Sequence, residues 1–175
     1  CQHHDYWALA QSTIEDMAKA SWFVQGLQSH TLLAVCDGSY QPHLTTTGIS
    51  AAFVVEPASQ DQQLTGTCCI EASPADPYRA ELLGIYLILS ALHFVEESNP
   101  EYRSGFLRIG CDNKTAGEKC MVPDLKVSTK HKHLDLVKAN RSLMASLRTK
   151  VEIYHLYGHQ DEVENYVHLP RDAQL

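Results

Sequence analysis

The longest apolar stretch of the chain runs from Ala80 to Leu92 and carries one carboxylate, Glu81, near its start. A helix that is apolar on nearly all sides is typical of the interior of a domain. Glu81 shares helical spacing with Ile85 and Ile88, so it belongs to the stripe that faces the core. Glutamate is rarely buried unless it is paired or bound to a metal, although the helix dipole would also stabilise it. We predict a central helix that runs to residue 98 and carries a core-facing carboxylate.

Five shorter segments have the length and composition of β-strands: residues 31–36, 48–56, 64–71, 106–111 and 151–157. The first three are separated only by polar turns, which predicts an antiparallel meander. The fourth and fifth each follow a helical segment. This order of elements predicts a mixed α/β fold, with one five-stranded sheet and helices on both of its faces.

Residues 6–29 carry helix formers with apolar positions at helical spacing. We predict one or two helices there that join an upstream domain to the sheet. The chain is therefore divided into residues 1–30, an N-terminal helical linker, and residues 31–175, one α/β domain. Because the first residue is Cys1 and no signal-peptide pattern follows, we expect the sequence to be a piece of a longer protein.

The composition is that of an ordinary folded domain, with 44% hydrophobic and 20% charged residues. No run of 18 apolar residues is free of charge, so no membrane span is predicted. The six cysteines include no Cys-x-x-Cys pair. Most lie within apolar runs, which favours buried, reduced thiols in an intracellular compartment, cytoplasm or nucleus. The histidine pairs lack cysteines at ligand spacing and do not indicate a zinc site.

The net charge of −7 argues against indiscriminate binding to nucleic acid, but the charge is unevenly distributed. Residues 126–150 hold seven basic side chains and one acid, Asp135. A basic segment on an acidic body is typical of a phosphate-binding face, and a solvated helix face would explain it equally well. The basic residues are Lys126, Lys130, Lys132, Lys138, Arg141, Arg148 and Lys150.

Two of the predicted strands end at an aspartate, Asp37 and Asp112. Ligands bind at the carboxyl edge of the strands in open α/β sheets, so these acids and Glu81 could converge at one point. Three close carboxylates repel one another and take up protons unless cations compensate. Oxygen ligands of this kind suit Mg²⁺ or Mn²⁺, and two such ions support phosphoryl displacement.

Four short motifs occur in order at the ends of these predicted elements. They are Cys36-Asp37-Gly38-Ser39, Tyr78-Arg79-Ala80-Glu81-Leu82, Cys111-Asp112-Asn113 and Tyr157-Gly158-His159-Gln160-Asp161. Together they resemble the ordered motifs of ribonuclease H, and most closely the ribonuclease H domain attached to retroelement reverse transcriptases. The resemblance covers the segment from Thr31 to Leu175. Each motif alone is a weak signal, and the specificity comes from four of them in this order.

The resemblance implies a ribonuclease H-like fold and metal-dependent, endonucleolytic cleavage of the RNA strand of RNA–DNA hybrids. By position, Asp37, Glu81 and Asp112 take the family's metal-ligand roles, with Asp37 bridging two Mg²⁺ ions that Mn²⁺ can replace. His159 resembles the family's mobile-loop histidine, which assists proton transfer or product release. The implied partners are the hybrid and an upstream reverse transcriptase domain in the same polypeptide, with no membrane.

The resemblance also implies the residues that contact the substrate. Backbone at Gly38 and Ser39 would approach the 2′-hydroxyl groups that distinguish RNA from DNA. Asn113, beside the last acid, is expected to contact the hybrid as well. Lys130 and Lys132 represent the basic segment, which lies where related enzymes grip the hybrid.

Two features depart from the family pattern. The family has a fourth carboxylate on a final helix, and this chain stops within the stretch that precedes it, so we expect truncation before the last helix. Asp161 and Asp172 do not occupy the expected position of that ligand. The segment Asp76-Pro77-Tyr78 replaces amide residues that contact the hybrid in several members, so the resemblance implies no hybrid contact for this segment.

Three other functions are compatible with parts of the pattern. Ser39 and His159 could suggest a serine hydrolase, but the chain has no Gly-x-Ser-x-Gly nucleophile elbow. Integrases and transposases share the broad fold, yet their helical acid is the third and here it is the second. The main alternative is a catalytically inactive ribonuclease H-like domain that serves as a nucleic-acid-binding or structural module.

Overall fold

The computed structural model describes residues 21–121 and 132–157 of the chain. These residues form four helices and five strands within the described ranges. In chain order they are α1 (Ser21–Ser29), β1 (Leu32–Ser39), β2 (Gly48–Pro57), β3 (Leu64–Glu71), α2 (Pro77–Ser98), β4 (Gly105–Cys111), α3 (Lys114–Met121), α4 (Leu134–Ser146) and β5 (Thr149–His155).

The five strands form one mixed sheet in the order β3-β2-β1-β4-β5. β1, β2 and β3 are antiparallel neighbours, joined by short connections. β4 and β5 run parallel to β1, because a helix crosses over before each of them. The prediction of one five-stranded sheet that begins with an antiparallel meander is confirmed.

β1 is longer than the sequence pattern predicts. Its pairing with β2 continues through Gly38 and Ser39, although we expected the strand to end at residue 36. Its parallel pairing with β4 ends where Cys36 lies beside Cys111. Asp37 and Asp112 are therefore the first residues beyond this last parallel pair, so both acids lie at the same edge of the sheet.

The core lies between the sheet and α2. Along β1 the side chains of Leu32, Ala34 and Cys36 are buried, and α2 packs against them and against β2. Phe23 and Leu27 of α1 are buried in the same core. The division of the chain at residue 30 stays a prediction.

α2 is stabilised at its start by Asp76, whose Oδ1 atom accepts a hydrogen bond of 2.8 Å from the backbone N–H of Arg79. The helix is long and apolar enough to span a membrane, but 67% of its most apolar segment is buried inside the fold. This burial is typical of a central core helix, as the sequence predicts for this segment.

The described cysteines are all free thiols. Four are buried, and Cys69 is exposed. The expectation of a buried thiol is wrong for Cys69, because side chains alternate along the edge strand β3 and Cys69 points away from the core side on which Cys68 lies.

Candidate functional site

The centre of the site is a close approach between β1 and the first turn of α2. A Cβ atom on Gly38 would lie 2.3 Å from the backbone carbonyl carbon of Ala80 and 2.4 Å from the backbone nitrogen of Glu81. Only glycine fits this contact without a backbone shift. The Gly38 N–H also donates a 2.9 Å hydrogen bond to Oε1 of Glu81, so the carboxyl group is held against the strand.

Glu81 is buried, with 4% of its surface exposed, as its place in the apolar stripe predicts. Its Oε2 atom accepts a hydrogen bond from the Cys111 thiol at 3.5 Å. Burial, together with the charges of Cys111, Asp112 and Asp37, raises the pKa of Glu81 to about 10, against the opposing effect of the hydrogen bond from the Gly38 N–H. A cation at this point would favour the ionised carboxylate instead.

Three side chains bring possible ligand atoms together at this edge. One oxygen each of Glu81 and Asp112 and the Cys111 sulfur lie within 4.8 Å of one another. Asp37 is exposed and is not a member of this group, although its charge acts on Glu81. The structure thus places two of the three predicted acids together with a thiol, and the third acid close by.

Cys111 is a site residue that the local sequence does not indicate. Its pattern is that of a buried strand residue, and it is indeed 1% exposed. The signal available in the sequence was its position next to Asp112 at a strand end that also faces the Glu81 helix. The position of Cys111 becomes informative only once β4 and α2 are placed against each other in the fold.

The predicted substrate residues have individual structural roles. Ser39 pairs with Ser50 at the end of β1 and lines a groove of about 490 Å³ beside β2 and β3. Asn113 immediately precedes α3, and its side-chain oxygen accepts a 3.0 Å hydrogen bond from the backbone N–H of Ala116. It therefore caps the helix, which is a structural role independent of any ligand.

Lys132 lies in a polar network that attaches the start of α4 to the start of α2. Its Nζ atom is 2.5 Å from Oδ2 of Asp76, and the same oxygen is 2.8 Å from Nε2 of His133. Arg79 forms two hydrogen bonds, of 3.0 and 2.6 Å, to the carboxylate of Asp135. Although burial alone would raise the pKa of Asp76, hydrogen bonds from the side chains of Lys132 and His133 and from the backbone N–H of Arg79 lower it to about 2.

The remaining predicted residues, Lys130 and His159, lie outside the described residues. So do Asp161 and Asp172, the two acids near the end of the chain. Their predicted roles stay predictions.

Comparison with solved structures identifies the fold. The PFV RNase H domain in solution superposes with a TM-score of 0.54 at 16% sequence identity, covering 82% of this chain and 90% of that one. LC11-RNase H1, in complex with an RNA/DNA hybrid, gives a TM-score of 0.52 at 10% identity over 74% of this chain and 87% of its own. This chain has the ribonuclease H fold.

The same fold occurs inside a larger protein. The crystal structure of the Prototype Foamy Virus protease-reverse transcriptase superposes with a TM-score of 0.56 at 16% identity, over 82% of this chain. This chain spans only 19% of the length of that protein. No family model matches the sequence, and no curated protein matches it either. Likeness at this level of identity establishes the ribonuclease H fold alone.

In the absence of metal, Glu81→Gln is expected to be more stable than the wild type, and the difference should grow as pH rises. The folded-state pKa, about 10, lies above the usual value of 4.5, so the folded chain retains a proton that the unfolded chain has released. Stability therefore falls with rising pH above about 4.5 in the wild type, and glutamine removes this loss. Thermal melts in chelator between acidic and alkaline pH measure the difference, with Glu97→Gln as an exposed control. A difference that does not grow with pH would contradict the burial argument.

Gly38→Ala is expected to destabilise the protein by about 1–3 kcal/mol, because the new methyl group meets backbone rather than a side chain that can move away. Urea denaturation measures the loss. Ser39→Ala, at the next residue, adds no atom and serves as the matched control. An unchanged midpoint for Gly38→Ala would show that β1 and α2 are not in contact at this point.

Proposed function

We propose that this chain is a metal-dependent endonuclease that hydrolyses the RNA strand of RNA–DNA hybrids. The observation that supports this function is the buried Glu81 carboxyl group, held beside Asp112 at the carboxyl edge of a ribonuclease H fold. A buried acid beside other acids is unfavourable in a structural role, and a divalent cation would offset that cost.

The residues present fit Mg²⁺ or Mn²⁺ as cofactor. Asp37, Glu81 and Asp112 supply carboxylate oxygens, which are the ligands these ions prefer. Two ions held by these three residues would supply the charge that stabilises the attacking and leaving oxygens of the phosphodiester. The Gly38 N–H would hold the Glu81 carboxylate in place during the reaction, since it already bonds to Oε1.

Substrate recognition is proposed for the surface around this edge. Backbone at Gly38 and Ser39 lies next to the acids, where it can meet the 2′-hydroxyl groups of the RNA strand. Asn113 borders a second groove, of about 370 Å³, between α3 and β5. Lys130 and Lys132 would bind phosphates of the hybrid, and the Lys132 ammonium would leave Asp76 to do so. His159 would assist proton transfer or product release.

The proposed function predicts strand-selective, metal-dependent cleavage. The 175-residue chain, incubated with an end-labelled RNA–DNA hybrid, should cut the RNA strand in Mg²⁺ or Mn²⁺ and stop when the metal is chelated. Duplex DNA of the same sequence should remain intact, because it lacks the 2′-hydroxyl groups. Cleavage of the DNA duplex at the same rate would contradict the assignment of substrate, and cleavage in chelator would contradict the metal requirement.

We further propose that the domain belongs to a retroelement reverse transcriptase. The likeness to the foamy virus protease-reverse transcriptase supports this context.

The alternative function is that of an inactive module that binds nucleic acid or has a structural role. It is favoured by one observation, that Glu81 is hydrogen-bonded within the chain at both oxygens while Asp37 lies outside the ligand group. Hybrid binding with no cleavage in either metal would support the alternative.

A further inference from the structure

The candidate metal site contains the sulfur atom of Cys111, although a Mg²⁺ site built from carboxylates does not need a sulfur ligand. The Cys111 sulfur lies 3.5 Å from Oε2 of Glu81, and both lie within 4.8 Å of an Asp112 oxygen. Cys111 is a free thiol at the last residue of β4. Its backbone is fixed on both sides, because its register partners are Cys36 in β1 and His155 in β5. The thiol therefore faces the carboxyl groups as part of a rigid strand.

We propose that Glu81, Cys111 and Asp112 form a binding site for a thiophilic divalent cation, of the class of Zn²⁺ and Cd²⁺. Two oxygen donors and one thiolate, with a fourth position open to water, match the ligand number and type that Zn²⁺ accepts in open sites. Bonds of about 2.0–2.3 Å to such an ion require donors closer together than 4.8 Å, so binding would require the Glu81 and Asp112 side chains to move toward the sulfur. On binding, the sulfur–metal bond replaces the S–H bond, and the proton passes to the buffer.

The thiol makes the site discriminate between cations. Mg²⁺ binds oxygen ligands and gains little from sulfur, whereas a thiolate selects softer ions. If the proposed nuclease function holds, a thiophilic cation at this site occupies the position of the Mg²⁺ ion and inhibits cleavage. This inhibitory consequence rests on the proposed function, but the binding site itself does not.

Cadmium absorbance tests the site without any measurement of activity. A thiolate bound to Cd²⁺ gives a charge-transfer band in the ultraviolet, whereas carboxylates do not. The titration uses the 175-residue chain with Cys1, Cys68 and Cys69 replaced by serine, which removes the exposed thiol and its neighbour. We expect the band to appear in this background, to disappear in Cys111→Ser, and to remain in Cys120→Ser, which removes a buried thiol of α3 that is not in the ligand group.

A second variant keeps the thiol and changes an oxygen ligand. Asp112→Asn should retain the band at saturation but shift its midpoint to a Cd²⁺ concentration about 10-fold to 100-fold higher. Loss of an outer-shell partner already weakens metal binding by this factor, and loss of a direct ligand should weaken it at least as much. Circular dichroism confirms that each variant is folded. A missing band in the background, a band that survives Cys111→Ser, or an unshifted midpoint in Asp112→Asn would each overturn the proposed site.

Inhibition by Zn²⁺ connects the site to catalysis. Each variant is assayed for hybrid cleavage at fixed Mg²⁺, and the rate is normalised to that of the same variant without Zn²⁺. The Zn²⁺ concentration for half-inhibition should rise about 10-fold or more in Cys111→Ser. A chain that shows the cadmium band but never cleaves the hybrid would retain the thiophilic site and lose the proposed function. A chain that cleaves the hybrid but lacks the band would retain the function and lose the site.

Discussion

Asp112→Asn is expected to reduce metal-dependent cleavage of the RNA strand by at least about 100-fold, because cation-based charge stabilisation contributes several kcal/mol to the transition state and each 1.36 kcal/mol is tenfold in rate. Asp112 is half-buried and follows the last parallel pair of β1 and β4. Asparagine preserves the size and shape of the side chain, so the fold should persist while a charged metal ligand is lost. Initial rates across a range of Mg²⁺ concentrations measure the effect.

Two comparisons make the Asp112→Asn result specific. Asp61→Asn applies the same chemical change in the exposed β2–β3 connection and should leave cleavage unchanged. Thermal melts with and without Mg²⁺ should show that the ion stabilises the wild type more than it stabilises Asp112→Asn, since a ligand that binds only the folded state raises its stability. Full activity in Asp112→Asn would exclude this carboxylate from the metal site.

Glu96→Ala is expected to destabilise the protein by about 3 kcal/mol, the lower end of the range for breaking a buried ion pair. Glu96 is 2% exposed. Its Oε2 accepts hydrogen bonds from the backbone N–H of Arg148 at 2.7 Å and from Nε of the same residue at 3.4 Å. Its Oε1 accepts from the backbone N–H of Thr149 at 2.8 Å. Alanine would leave these donors without their acceptor at the start of β5.

The loss should appear as a fall of about 6–12 °C in melting temperature for a chain of this length. Glu97→Ala is the matched control, because the neighbouring glutamate is exposed and its loss should have little effect. Glu96→Gln keeps one acceptor oxygen and should lie between the two. A melting temperature for Glu96→Ala within error of Glu97→Ala would show that the α2–β5 contact contributes little to stability.

The sequence was informative wherever periodicity and burial coincide. Glu81 was identified as a core-facing acid because Ile85 and Ile88 share its stripe, and all three are buried in α2. The five strands were found from short apolar runs, and the acids Asp37 and Asp112 from the polar residues that end two of them. These features depend on local sequence, so a single chain suffices to find them.

Contacts between distant elements could not be predicted in the same way. Cys111 and Glu81 are 30 residues apart, and their hydrogen bond depends on how α2 lies across the sheet. Likewise, Lys132 was interpreted by its charge as a phosphate-binding residue, whereas the structure pairs it with Asp76. A basic side chain gives no local signal of whether an acid or a solvent molecule faces it, because that depends on the tertiary structure.

The extension of β1 beyond its last pair with β4 has a mechanical consequence. Asp37 is carried by a strand that remains bonded to β2 through Ser39, whereas the Cys111 carbonyl, directly before Asp112, accepts a 2.9 Å hydrogen bond from Leu156. Within the described residues, the register between β1 and β4 ends one residue before each acid. A shear of one half of the sheet against the other would break the β1–β4 pairs that run from Leu33–Arg108 to Cys36–Cys111, so these pairs hold the two acid-bearing strand ends in register. The backbone spacing of the two acids is therefore as stiff as the sheet that carries them.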